Sequence, residues 1–225
     1  MPGAGVRTHL GGGINGKVAM SLVIVEHPLA QHYLTHLRDE TTKPALFRTL
    51  THKLSLMLAL EATRSLRTRH VSIRTPLEEM SAPILDEELV VVPILRAGLG
   101  MLDAIVDLFP DVTVGYFGLE RDEHTAVANS YYRKLPSLTG RTVMLVDPML
   151  ATGGSAQRAL GDIYVHHPAR VILICIVAAP EGIQRLQTHF PQTSIYTAAV
   201  DRQLNARKYI LPGLGDFGDR LYGTT

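Results

Sequence analysis

Short apolar runs punctuate the chain, and between them apolar positions recur every three or four residues. Residues 19–25, 89–95, 112–118, 142–146, 171–179 and 195–200 read as strands. The continuous runs at 89–95, 142–146 and 171–179 show no in–out alternation, as expected of strands covered on both faces in a parallel sheet. His27-Pro28 opens a helical pattern carrying Leu29, Tyr33, Leu34 and Leu37, and Pro44 starts a longer one with Phe47, Leu50, Leu54, Met57 and Leu58 on one stripe. Ala159, Leu160 and Ile163 share a face after residues 142–155, and Ile183, Leu186 and Phe190 do so after Pro180. Proline suits a first helical turn because the N–H it lacks would be unpaired there. Strand–helix alternation predicts a doubly wound α/β core with a mainly parallel sheet. Residues 1–18, glycine-rich and poor in apolar side chains, are expected to form a disordered extension, leaving 19–225 as a single domain.

Composition agrees with one well-filled core: 225 residues, 46% of them hydrophobic. With 22 basic against 21 acidic residues the net charge is +1, which excludes a general electrostatic footprint for nucleic acid or an acidic membrane. Cys175 is the single cysteine and lies inside an apolar run, so it reads as a small buried hydrophobe in a reducing compartment. No apolar run approaches the roughly 20 residues that span a bilayer, and no signal-peptide pattern opens the chain. A cytoplasmic protein without a membrane partner is expected.

The candidate chemistry gathers where apolar runs end. Asp147 follows the run at 142–146, at the strand end where open α/β sheets place their ligands. Behind it, Thr152-Gly-Gly-Ser155 would turn into a helix whose unpaired N–H groups and dipole favour a phosphate. Arg96 directly follows the run at 89–95 and precedes Gly98 and Gly100. At a strand's carboxyl end its forked donors would suit diphosphate oxygens.

Other signals are weaker. Gly11 to Lys17 imitates a phosphate-binding loop, but Val18 stands where a magnesium-holding hydroxyl belongs. His32 and His36 are spaced like metal ligands on a helix, with no third ligand nearby. Gly213 to Gly218 fits a dinucleotide fingerprint, yet is expected to open no helix, and Asp216-Phe-Gly lacks the other kinase signatures. The basic stretch from Arg64 through Arg67 and Arg69 to Arg74 has no interleaved aromatics and reads as a solvated face.

Asp147-Pro-Met-Leu-Ala-Thr-Gly-Gly-Ser155 resembles the phosphoribosyl-diphosphate (PRPP) loop of type I phosphoribosyltransferases, and Pro148 after the acid resembles uracil phosphoribosyltransferase in particular. Val-Pro-Ile-Leu-Arg96-Ala-Gly-Leu-Gly-Met resembles that family's diphosphate loop, Arg121 its second PRPP arginine, and Tyr209 to Arg220 its uracil-binding segment. The resemblance runs from about His27 to the carboxyl terminus. It implies a type I phosphoribosyltransferase fold with a small hood built from the chain ends and a flexible arm over about 120–136, where Thr125 to Ser130 lacks the family's usual proline. It implies transfer of phosphoribose from PRPP to uracil, giving UMP and diphosphate, in pyrimidine salvage. Asp147, Pro148, Met149, Leu150, Ala151, Thr152, Gly153, Gly154 and Ser155 would bind PRPP together with Arg96, Arg121 and Asp216. Asp147, Arg96 and Arg121 would act in catalysis, and Ile210, Gly215, Asp216 and Phe217 would meet uracil, with Phe217 narrowing the pocket or stacking on the base. Magnesium would be held mainly by the diphosphate. GTP as an activator and a homodimer or homotetramer are also implied. A nucleotide-sensing RNA regulator on the same fold is the rival from another class, its only basic face being the arginine stretch.

Overall fold

The computed structural model describes residues 7–10, 21–121 and 128–224. The first elements are β1 (Arg7–Leu10), β2 (Ser21–Ile24), α1 (Pro28–Arg38) and α2 (Pro44–Ala62). His27 caps α1, its Nδ1 accepting from the Leu29 N–H at 3.1 Å, and prolines open both helices. β1 lies inside the stretch expected to be a disordered extension; it pairs antiparallel with β2, while residues 1–6 and 11–20 fall outside the description. A two-stranded hairpin follows, β3 (Thr68–Arg74) and β4 (Glu79–Leu85), almost wholly exposed. β5 (Leu89–Leu95), α3 (Leu99–Leu108), β6 (Thr113–Val114) and β7 (Tyr116–Arg121) come next. The run read as one strand over 112–118 is therefore divided at Gly115, whose N–H bonds to Val91 O at 2.9 Å. β8 (Ala128–Lys134) returns antiparallel along β7; residues 122–127 of the expected arm lie outside the described residues.

The second half contains β9 (Thr142–Val146), β10 (Met149–Leu150), α4 (Gly154–Tyr164), β11 (Arg170–Ala178), α5 (Pro180–His189) and β12 (Ser194–Val200). It closes with β13 (Gln203–Leu204), β14 (Ile210–Leu211) and α6 (Phe217–Tyr222). The main sheet runs β1-β2-β12-β11-β9-β5-β7-β8, parallel from β2 to β7 and antiparallel only at its two edges. α6 corrects one expectation, since the glycine-rich tail does open a helix, short but capped by Asp216.

Two-sided burial explains the continuous apolar runs. On β9, Met144 and Val146 enter the core shared with α1, α2, α3 and α6, whereas Val143 and Leu145 enter the core under α4 and α5. β11 divides alike: Ile172, Ile174 and Ile176 face one layer, Val171, Leu173 and Cys175 the other. Burial pushes the Cys175 thiol up to about 12, so it stays neutral and inert. Both layers stop at the carboxyl ends of the central strands, where the substrate-sized opening lies.

Candidate active site

Asp147 stands half-buried where β9 ends, its N–H bonded to Ile174 O at 3.2 Å. The next residues are stapled to β11 rather than left as a free loop. Pro148 O accepts from Ile176 and Val177 at 3.0 and 3.2 Å, β10 pairs with β11, and Leu150 O accepts from Ala179 at 2.8 Å. The Met149 N–H reaches Asp147 Oδ1 at 3.5 Å, and Gly154 N–H reaches Thr152 Oγ1 at 3.4 Å. Gly153, left-handed at φ 76°, ends the loop and caps α4, so the first N–H groups of that helix have no helical acceptor. The seat is tightened by a residue that the sequence reading passed over. A Cβ at Gly182 would lie 2.5 Å from Ala151 O, so α5 can pack its first turn on this loop only with glycine there. From the outer side Arg185 reaches the same turn, its Nη1 3.4 Å from where a Cβ on Gly154 would stand.

Arg96 is exposed at the end of β5, the strand beside β9. Gly98 brings its backbone against that neighbour: a Cβ there would meet Val146 O at 2.6 Å and Ile94 N and O at 2.7 Å. Tyr222 on α6 donates to Arg96 O at 3.4 Å, and burial pushes its phenol pKa up, with the Arg96 charge opposing. Arg121 is placed by its backbone alone, opposite Ala128 where β7 meets β8. Its side chain lies outside the described residues.

The hood is anchored by a network absent from the sequence reading. Asp201, 7% exposed at the end of β12, takes both Arg38 guanidinium nitrogens at 2.8 and 2.6 Å. Arg38 also donates to Gly213 O at 2.7 Å, and Gly213 N–H returns to Asp201 Oδ2 at 2.9 Å. An acid directly after the apolar run at 195–200 was the available signal, the same strand-end logic that marks Asp147. Removing one partner of a buried pair leaves the other uncompensated. With Arg38 a quarter exposed, Asp201→Ala is expected to cost about 2–3 kcal/mol, measured by denaturant unfolding, and to weaken base binding.

Ile210 is buried beside this anchor, and Gly215 and Asp216 are exposed. Asp216 Oδ1 accepts from Asp219 N–H at 3.0 Å, capping α6. Phe217 lines the cleft; it is 2% exposed and packs edge-on against Phe47, centroids 5.2 Å apart.

Three chain segments thus meet in one cleft of about 480 Å³. Arg96 and Asp147 line it with Met149, Ala151 and Ser155 of the loop, and Ile210, Gly215, Asp216 and Phe217 close it from the hood. Of the other predicted loop residues, Pro148, Leu150 and Gly153 are buried, and Thr152 and Gly154 are partly exposed beside it. Arg207, Lys208 and Tyr209, not singled out in the sequence as site residues, also line the cleft. The arginines of the 64–74 stretch are not bare: Arg64, Arg67, Arg69 and Arg74 pair with Glu61, Glu87, Asp86 and Glu79.

A parallel sheet with an acid and glycine turn at its central strand, facing a small hood, defines a type I phosphoribosyltransferase. A hypoxanthine-guanine phosphoribosyltransferase structure from Bacillus anthracis shares the fold at a TM-score of 0.50 and 16% identity, covering 70% of this chain and 80% of that one. A solved Aquifex aeolicus structure matches far more closely, at a TM-score of 0.88 and 39% identity over 91% of this chain and 99% of its own. Residues 23–224 match the profile of the uracil phosphoribosyltransferase family, and the chain belongs to that family. Uracil phosphoribosyltransferases of Legionella pneumophila and Dictyoglomus thermophilum are 49% and 46% identical to it. The matches cover 89% and 90% of this chain, and 95% and 99% of theirs.

Proposed function

We propose that the chain transfers the phosphoribosyl group of PRPP to uracil, forming the bond from uracil N1 to ribose C1 as the bond to diphosphate breaks and the N1 proton is released to solvent. The observation that carries this reading is the single cleft in which Arg96, Asp147, the 151–155 turn and the Ile210 and Gly215 backbone converge. The amides and hydroxyls of the turn hold the 5-phosphate. Asp147 accepts from ribose hydroxyls and stabilises positive charge that builds on the ring as diphosphate departs. Arg96, joined by Arg121, takes up charge on the leaving group. Main-chain groups at Ile210 and from Gly215 to Phe217 read the pyrimidine edge, and a base with the wrong donor–acceptor pattern leaves them unpaired. No general base is assigned; positioning and electrostatics supply the rate.

Magnesium fits this arrangement as an ion carried in on the diphosphate. Asp147 and Asp216 line the cleft, and magnesium keeps most of its waters. When bound, it offsets charge on the diphosphate. Self-association is supported by the projecting β3–β4 hairpin, which exposes Leu77 (94%), Met80, Ile84 and Leu85. GTP activation rests on the family resemblance, and a cytoplasmic location on the single buried cysteine and the sequence pattern. Among the described residues no helix is long and apolar enough to cross a membrane. The RNA-regulator reading loses its basic face to the four acid partners.

A crystal grown with UMP tests the placement: its phosphate is expected on residues 151–155 and its pyrimidine on the Ile210 and Gly215 backbone. UMP bound elsewhere on the molecule would overturn it. Arg96→Ala is expected to weaken PRPP and diphosphate at least tenfold, on the scale of a charge-assisted hydrogen bond, while UMP affinity stays within about twofold; calorimetric titration reads both.

A further inference from the structure

Lys208 has a left-handed backbone, with φ 67°. That region suits glycine and, less well, asparagine, because a side chain there crowds its own backbone. A lysine has no conformational reason to occupy it. The turn around it is nevertheless well built. Asn205 Oδ1 accepts from Arg207 and Tyr209 N–H at 2.9 and 3.0 Å, Asn205 N–H bonds to Tyr209 O at 2.8 Å, and Lys208 N–H bonds to Asn205 O at 2.9 Å. The turn therefore fixes the backbone of an exposed lysine on the lining of the cleft, two residues before Ile210.

Which side of the cleft it serves follows from the strand order. β11, β9 and β5 lie in sequence across the sheet. Arg96 extends from β5, on one side of Asp147. The 149–151 segment leans the other way, pairing with β11, and α5 begins where β11 ends. The hood hairpin is tied to that second side, because Leu204 N–H donates to Glu181 Oε1 at 2.9 Å in the first turn of α5. The next residue, Gly182, is the one packed on Ala151 O. Glu181 is held below the usual carboxylate range first by the Leu204 N–H and, among further causes, by the positive charge of Lys208. The lysine thus lines the same cleft as the phosphate turn, on the hairpin tied to the side of β11 and α5, with Arg96 on the side of β5. On the cleft side of that turn the lining residues Met149, Ala151 and Ser155 bring no positive charge of their own, while Arg185 reaches the turn beside Gly153 and Gly154.

Resting on the reaction proposed above, we infer that Lys208 is a substrate-binding residue whose ammonium meets the 5-phosphate of PRPP and of the product nucleotide. It leaves the neighbourhood of Glu181 for the phosphate when ligand binds, and its charge adds to the amides and hydroxyls of the turn. A phosphomonoester dianion at a helix N-terminus gains from such a partner without any change in the turn itself.

Calorimetric titration of Lys208→Asn and Lys208→Arg with UMP, uridine and diphosphate separates the possibilities. Asparagine accepts the left-handed backbone, so the fold and the turn survive, which thermal unfolding checks. Expected for Lys208→Asn is UMP binding weaker by roughly fivefold to tenfold, the range for a partly exposed charge-assisted contact. Uridine and diphosphate should stay within about twofold of wild type, and Lys208→Arg should recover most of the UMP affinity. Unchanged UMP affinity in Lys208→Asn overturns the inference while leaving the reaction intact. An equal loss for diphosphate also overturns it, since the lysine would then act as a general field. Wild-type protein that binds no UMP refutes the proposed reaction and the inference with it.

Discussion

Asp147→Asn is expected to lower turnover by roughly 10²-fold or more with the fold intact, the scale of removing a preorganised electrostatic group. The substitution keeps size and hydrogen-bonding reach but removes the negative charge that the proposed reaction sets against the ribose. The fold should survive because backbone bonds to β11 hold this segment, and an asparagine Oδ1 can still accept from the Met149 N–H. The Asp147 N–H bonds to Ile174 O, and Pro148 O takes two N–H groups of β11. Binding of PRPP should change far less than turnover, since the charge matters most when the ring carries positive charge. Steady-state kinetics with saturating PRPP, paired with thermal unfolding, separates the two effects. Near-normal turnover would remove Asp147 from the chemistry.

Gly98→Ala should be among the most damaging small substitutions near the cleft. Its new methyl group would stand 2.6–2.7 Å from Val146 O and from Ile94 N and O. All three are backbone atoms of the two central strands, so no side chain can swing aside. Either β5 parts from β9 or the turn carrying Arg96 shifts. A loss of about 3 kcal/mol of stability is expected, at the upper end of overpacking costs. The surviving folded protein should bind diphosphate more weakly, because Arg96 moves with the turn. Denaturant unfolding and diphosphate titration check both halves. Wild-type stability would mean that the two strands are less tightly joined than their geometry indicates.

Much of the layout was legible in the chain because the physics is local. A strand covered on both faces must be apolar throughout, and β5, β9 and β11 read that way directly. An acid or arginine stranded after such a run has few structural reasons to be there, which marked Asp147 and Arg96. What escaped depends on contacts between distant segments. Arg38 and Asp201 are 163 residues apart, and their joint hold on Gly213 follows from the folded chain alone. Gly182 looked like ordinary helix-start chemistry until α5 was seen against Ala151. Phe217 could be placed in the binding segment from its neighbours, but the packing of its ring depended on Phe47, far away in sequence on another helix. The 64–74 stretch looked like a bare basic face, and its acids come from the flanking helix, the hairpin's own return strand and the residues after it. The signal for Lys208 was backbone conformation, which no residue count carries.

In the proposed reaction this cleft joins PRPP to uracil and rejects other bases. Its most direct test is nucleotide formation from PRPP and magnesium with uracil, cytosine, hypoxanthine and orotate offered separately. UMP is expected from uracil, and no nucleotide from the other three. Transfer to hypoxanthine or orotate, or no transfer to any base by protein that binds PRPP, would contradict it.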